Sequence, residues 1–209
     1  MVRVPVDWRK ILRRAEILVR RRDRRSLDLL LPALAWRSVA ARNRVVALLA
    51  RLGPIAVAPL LEKLKGARAA TERAGAAESL GRIGDSRAVS PLIRTLEDRA
   101  MTVRRASMVA LLRLEAMNAV PRIARLLEDE SGGVRVTAAV VLGRFEDPRA
   151  VPPLIRALGD NQWYVRQASA TALGQIGDRR AAPALEKATR DLRKSVARAA
   201  AAALRALRA

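Results

Sequence analysis

The sequence predicts an all-α solenoid, with about six two-helix repeats stacked behind an N-terminal helical cap. Three observations carry this. The first is self-similarity at a fixed step of 31 residues. Stepping back from Leu204 meets Leu173, Leu142, Leu111, Leu80 and Leu49; a second column reads Leu61, Leu92, Ile123, Leu154 and Leu185. No insertion interrupts the period from about residue 41 onward. The second is the apolar spacing inside each unit, which follows the helical period rather than the alternation of a strand. The third is composition. The 209 residues are 51% hydrophobic but hold one Phe, one Tyr and three Trp, and Ala, Leu and Val favour helices that pack closely through small side chains.

The elements follow in chain order, as a capping unit over 1–36 and a continuous repeat array over 37–209. Trp8, Ile11, Leu12, Ala15, Leu18 and Val19 form an apolar stripe at helical spacing, with Arg9, Lys10, Arg13, Arg14 and Arg20 across much of the opposite face. A second helix is expected over 25–35, with Pro32 as a kink. A solenoid needs its first apolar face covered, so this pair reads as a cap. In the clearest repeat, Val165, Ala168, Ser169, Ala172, Leu173 and Ile176 mark one face of a helix. Asp160 is placed as its N-cap and Gly177 as its left-handed end. Asp178 then caps a second helix over 180–190, with Pro183 in the first turn. In the third unit Glu115-Ala116 replaces Gly-Asp, which predicts an irregular helix end. Residues 192–207 are expected to form a single Ala-rich closing helix.

The recurring pattern Val-Arg-x-x-Ala-x-x-Ala-Leu-Gly-x-Ile-Gly-Asp, then x-x-Ala-x-Pro-x-Leu, resembles the HEAT-repeat superfamily, closest to its phycobilisome-lyase-type (E–Z type) members. Glu72 replaces the Val in the second unit and Ala197 the Arg in the sixth. The resemblance implies a right-handed α-solenoid that acts as a binding scaffold. It puts the Val–Arg helix on the concave face and the Pro–Leu helix on the convex one. It further implies that Asp98 with Arg104, Asp129 with Arg135 and Asp160 with Arg166 form a structural ladder, bonding to each other and to the neighbouring repeat.

Charge adds a partner class. Lys+Arg number 41 and Asp+Glu 20, a net +21. Two-thirds of it sits at the ends: residues 1–40 and 179–209 each carry +7. The densest run holds Arg20, Arg21, Arg22, Arg24 and Arg25, a basic N-terminal patch for phosphates or an acidic partner. Arg51, Arg82, Arg113 and Arg144 form a column at the end of the Val–Arg helix, which on a concave face would stand about 10 Å apart. Lys63, Arg94, Arg125, Arg156 and Lys187 form another on the Pro–Leu helix, where a basic residue offsets the helix dipole. Trp163, Tyr164, Val136 and Val140 make an apolar patch at groove positions, suited to a protein partner.

The absences bound the chemistry. With no Cys and no His, thiolate catalysis, Ser-His-Asp catalysis and Cys- or His-ligated metal are excluded. Glu128-Asp129-Glu130 fits a capped loop better than a metal site. A catalytic residue, cofactor or metal is therefore not expected. No run is apolar enough to span a bilayer, and the N-terminus lacks a signal-peptide core, which gives a cytoplasmic expectation. The expected function is a non-enzymatic scaffold whose concave face binds a macromolecule, foremost an acidic protein surface. The alternative is sequence-independent binding of a nucleic-acid backbone through the Arg column and basic ends. Membrane-surface attachment and a bilin-lyase-like or chaperone accessory role rank below both.

Overall fold

The computed structural model describes residues 7–208; the first six residues of the expected cap and residue 209 lie outside them. All regular structure among the described residues is helical. The chain opens with α1 (Trp8–Arg20) and α2 (Arg25–Ala33). Five pairs follow: α3 (Val39–Leu52) with α4 (Pro54–Gly66), α5 (Ala70–Ile83) with α6 (Val89–Arg94), α7 (Met101–Arg113) with α8 (Val120–Arg125), α9 (Gly132–Phe145) with α10 (Val151–Ala157), and α11 (Trp163–Ile176) with α12 (Ala182–Ala188). A lone α13 (Lys194–Arg208) ends the array. It begins two residues later than the sequence suggests, and Leu192 before it is 99% exposed.

The leucine column is the spine of the core. Leu49, Leu80, Leu111, Leu142 and Leu173 have no solvent exposure, and Val103, Val134 and Val165 are equally buried. Leu12, Ala15 and Val19 of α1 join the same core, against α2 and α3. The odd-numbered helices α3 to α13 stack in one layer in close succession, whereas the even-numbered ones touch each other sparingly. Glycine sets the closeness. A Cβ on Gly81 would lie 2.6 Å from Ala110 Cα, and one on Gly174 2.8 Å from Ala203 Cα. In the other layer, a gap of about 670 Å³ opens between α4 and α6, and one of about 370 Å³ between the turn that follows α8 (Leu127–Asp129) and α10. The Val–Arg helices therefore make the tightly packed layer, called the inner layer below.

The second helices depart from expectation. Each of α6, α8, α10 and α12 is entered through a 3-10 turn, as Arg179–Ala181 leads into α12. Asp85, Asp147 and Asp178 start three of these turns by accepting from the amides of Arg87, Arg149 and Arg180. The unit α3/α4 lacks the turn, because Pro54 begins α4 directly after Gly53. The chain is one residue shorter there, and α4 buries Ala56, Val57, Leu60 and Leu64. Leu60, not Leu61, therefore fills the place of Leu92, and Glu62 rather than Lys63 corresponds to Arg94. The period does contain a one-residue slip.

The irregular end expected at Glu115 takes an unexpected form. Glu115 adopts the left-handed conformation itself, at φ 51°, and Glu146 does so at φ 53°. Their neighbours Gly84 and Gly177 do this without a Cβ penalty. The turn is kept, and what is lost at Ala116 is the carboxylate that caps the following 3-10 turn elsewhere.

Candidate functional site

Two arrangements of charged side chains emerge at the helix starts and on the inner face. The first is an arginine ladder. Arg104 donates from Nη1 to the main-chain oxygen of Asp98, 2.9 Å away, but its carboxylate partner is Asp129, at 2.7 Å. Arg135 likewise holds the Asp129 carbonyl and the Asp160 carboxylate, and Arg166 the Asp160 carbonyl and the Asp191 carboxylate. Arg73 with Asp98 begins the series. Arg104, Arg135 and Arg166 thus each meet the Asp six residues before through that residue's main-chain oxygen rather than its side chain, and the contact to the neighbouring repeat is the one made to a carboxylate. Each guanidinium grips its own loop through main-chain oxygens and the next repeat through a carboxylate 25 residues ahead. Asp160 is also not the N-cap of α11, since Gln162 holds that place and Asp160 instead accepts from its amide at 2.8 Å. The same short turn forms at Asp98, Asp129 and Asp191.

The ladder sits at the edge of the core, with Arg104 and Asp129 side chains each 7% exposed. Burial opposes the charge on Asp98, but Arg73 and the Ala100 amide outweigh it and hold the carboxyl below its ordinary value. The hydrogen bond from Arg166 does the same for Asp191. Arg42 is the odd rung: it bonds the carbonyls of Trp36 and Arg37, but Ala67 stands where the next carboxylate would be. A second cross-repeat contact, not read from the sequence, comes from Arg149 and Arg180. Each folds onto its capping Asp and also reaches the preceding unit, at the carbonyls of Met117 and Pro148.

The second arrangement is the inner groove. Val136, Val140, Arg144, Trp163 and Tyr164 line one cavity of about 390 Å³ between α9 and α11. Trp163 is 40% and Val140 42% exposed. The two rings meet edge to face, with centroids 5.7 Å apart. Gly132 makes room for Tyr164, since a Cβ there would lie 2.6 Å from its hydroxyl. A neighbouring cavity of about 270 Å³ is lined by Arg105, Val109 and Arg113. Arg105, held by Thr137 Oγ1 at 3.0 Å, and the exposed Met101 and Val109 extend the surface beyond the residues read from the sequence.

The Arg column divides. Arg51 lies 3.8 Å from Glu16, and Arg82 pairs with Glu78 at 2.7 Å. Arg113 and Arg144 have no carboxylate partner among the described residues. On the outer layer Lys63 pairs with Glu72 and Arg156 with Glu128. In the basic N-terminal run, Arg20 reaches Glu16 and Arg25 pairs with Asp23, while Arg21, Arg22 and Arg24 are exposed. In the acidic triplet, Asp129 and Glu130 are bound by Arg104 and Glu128 by Arg156. Among the described residues no helix is long and apolar enough to cross a membrane.

Known proteins agree with this architecture. The HEAT repeats family model matches residues 119–205, and the PBS lyase HEAT-like repeat model matches residues 72–98. No curated protein matches the sequence. Among solved structures, a chain of the S. pombe condensin Cnd3–Cnd2 subcomplex superposes at TM-score 0.72 and 21% identity, over 94% of this chain and 32% of that one. A designed armadillo repeat protein in complex with the peptide (KR)4 gives TM-score 0.64 at 18% identity, over 96% and 99% of the two chains. A computationally designed armadillo repeat protein for modular peptide recognition gives 0.60 at 18%, over 93% and 99%. At these identities the likeness is one of fold. By these family models this is a helical repeat protein that carries HEAT repeats over residues 119–205 and a repeat of the PBS lyase HEAT-like type over residues 72–98.

Proposed function

We propose that this chain is a non-enzymatic scaffold whose inner groove binds an extended acidic segment of a protein partner. The observation that carries the reading is the groove between α9 and α11, where exposed apolar and aromatic side chains stand beside an unpaired guanidinium. Aromatic and Arg side chains at the centre of a concave surface are frequent anchors of protein binding. The designed relative holds (KR)4, a basic peptide. Here the groove carries Arg105, Arg113 and Arg144, so its complement is acidic, with aliphatic side chains for the floor made by Val109, Val136 and Val140.

Nucleic acid is the weaker reading for this groove. A backbone reader needs a run of available cations, and Arg51 and Arg82 are already engaged by Glu16 and Glu78.

The test is fluorescence anisotropy with a labelled peptide of alternating Glu and Leu, eight residues long, against its Lys-Leu counterpart. Binding of the acidic peptide alone is expected. Trp163→Ala should weaken it about tenfold, in the range of an interface anchor, and Arg144→Glu should weaken it too. Equal binding of both peptides, or wild-type affinity in both variants, would remove the reading.

A further inference from the structure

A different surface lies at the other end of the molecule. Helix α1 spends its apolar side on the core, through Leu12, Ala15 and Val19. At 3.6 residues per turn, the remaining arc of about 140° presents Arg9, Lys10, Arg13, Arg14, Arg20 and Arg21, every one of them exposed. This arc runs for about 18 Å along the helix. Its nearby carboxylates are largely committed: Asp7 accepts from the amides of Arg9 and Lys10, Glu16 is shared by Arg44, Arg51 and, from the arc itself, Arg20, and Asp23 is held by Arg25. Asp28 is the exposed acid on α2.

We infer that this face of α1 is a docking surface for double-stranded nucleic acid, read through its phosphate backbone. Three features select that partner. The surface is almost purely cationic, with Ile17 as its exposed apolar side chain, whereas the buried core of a protein interface is depleted of charge. It offers no platform for unpaired bases, because Trp8 is half-buried and covered by the Arg9 guanidinium, 5.2 Å from the ring centre, and single-strand binders rely on exposed aromatics. It also cannot lie in a bilayer as an amphipathic helix, because that mode needs the apolar face in lipid, and here that face is the core of the cap. Cations along one helix face suit a duplex, which carries one charge per about 1.7 Å of its axis.

The experiment measures a fluorescein-labelled random-sequence 20-base-pair DNA duplex against the full chain over a salt series. Each phosphate contact adds about −0.9 to the slope of log affinity on log salt. The combined variant Arg9→Gln, Lys10→Gln, Arg13→Gln and Arg14→Gln alters exposed side chains only, and circular dichroism checks that helicity is kept. It should flatten the slope by about 3 and weaken binding at 100 mM salt more than about tenfold. A control removes the same charge from exposed positions at the other end: Arg190→Gln, Arg193→Gln, Lys194→Gln and Arg198→Gln. Its slope should stay within about 1 of wild type. Equal losses in the two variants would reduce the effect to net charge and overturn the proposal. So would an unchanged slope in the α1 variant, or wild-type protein that sediments with phosphatidylserine vesicles yet leaves the duplex free at 100 mM salt. Trp163→Ala, which disables the inner groove, should bind the duplex like wild type. A parallel loss there would overturn the assignment to α1, while failure of the peptide test alone leaves it standing.

Discussion

The smallest unit of this architecture is a single guanidinium that ties three chain segments together. Arg104 spans the Asp98 and Arg99 carbonyls and the Asp129 carboxylate from a position 6% exposed. Removing one partner of a buried pair strands the other, which costs about 3 kcal/mol or more. Arg104→Ala should therefore lower stability by about that amount. Arg82→Ala, which breaks the half-exposed pair with Glu78, should cost under about 1 kcal/mol. Urea denaturation of both variants checks the contrast, and similar losses would mean that the ladder is no stronger than a surface pair. The incomplete rung gives the converse case. Ala67 has the extended conformation of Asp98 and Asp129, with ψ 131° against 139° and 146°. An aspartate there could accept from Arg42 and from the Ala69 amide, as Asp98 does from Arg73 and Ala100. Ala67→Asp should stabilise the protein by about 1 kcal/mol, seen as a rise of about 2–4 °C in melting temperature. An unchanged or lower melting temperature would show that residue 67 does not occupy the ladder site. This pairing was only half legible in the sequence. Separations of six and of 25 residues together make one repeat, so in a periodic chain each Asp fits either Arg equally well. Only packing decides that the carboxylate serves the unit before it.

At the scale of elements, glycine decides how the helices approach. Gly81→Ala would drive a Cβ to 2.6 Å from the Ala110 main chain, so α5 and α7 would have to separate. Overpacking of this kind costs about 1–3 kcal/mol. Gly66, at the end of α4, has open space around it. Gly66→Ala should be neutral or gain up to about 1 kcal/mol from helix propensity. Thermal melts of the two variants should move apart; if both shift alike, close approach is not what the inner-layer glycine provides. The elements themselves were largely legible, because each leucine of the column is a core residue and each Gly or Asp at a junction bends or caps the chain. The slip in α4 was hidden by degeneracy: with Leu60 and Leu61 adjacent, a register with no gap looks satisfied. Val136, Val140, Trp163 and Tyr164 stood out in the sequence because apolar residues gather there on two successive turns of neighbouring repeats. Val109 and Met101 repeat the apolar positions of Val140 and Trp163 one and two units earlier, and Arg105 stands singly among them. The tie of Arg51 to Glu16 joins helices from different units and has no local signal.

For the whole molecule, the same charge that defines its surfaces governs its response to acid. With no His and no Cys, no side-chain type has its ordinary pKa between about 5 and 8. Stability should be flat across that window. Below it the carboxylates matter. Asp85 is held down to about 2 by its hydrogen bonds from Arg87. Asp98, Asp147, Asp178 and Asp191 are also held below their ordinary values, chiefly by Arg73, Arg149, Arg180 and Arg166, with burial opposing the charge. A carboxyl whose folded pKa is depressed contributes stability above its unfolded pKa of about 4 and loses it as pH falls through the folded value. The ladder rungs at Asp98 and Asp191 and the loop caps should therefore weaken together below about pH 4. Protonation also removes the 20 negative charges that moderate 41 positive ones, so self-repulsion grows as the ties between repeats are lost. Salt separates the two effects, because it screens exposed charges far more than buried pairs. Melting temperature should be level from pH 5 to 8 and fall steeply from about pH 4 to 2. In 0.5 M NaCl the fall should persist in part, as the Asp98 and Asp191 rungs lose their charge at any salt concentration. A fall abolished by salt would assign acid sensitivity to surface repulsion alone. A fall beginning near pH 6 would require a titrating group that the sequence does not contain.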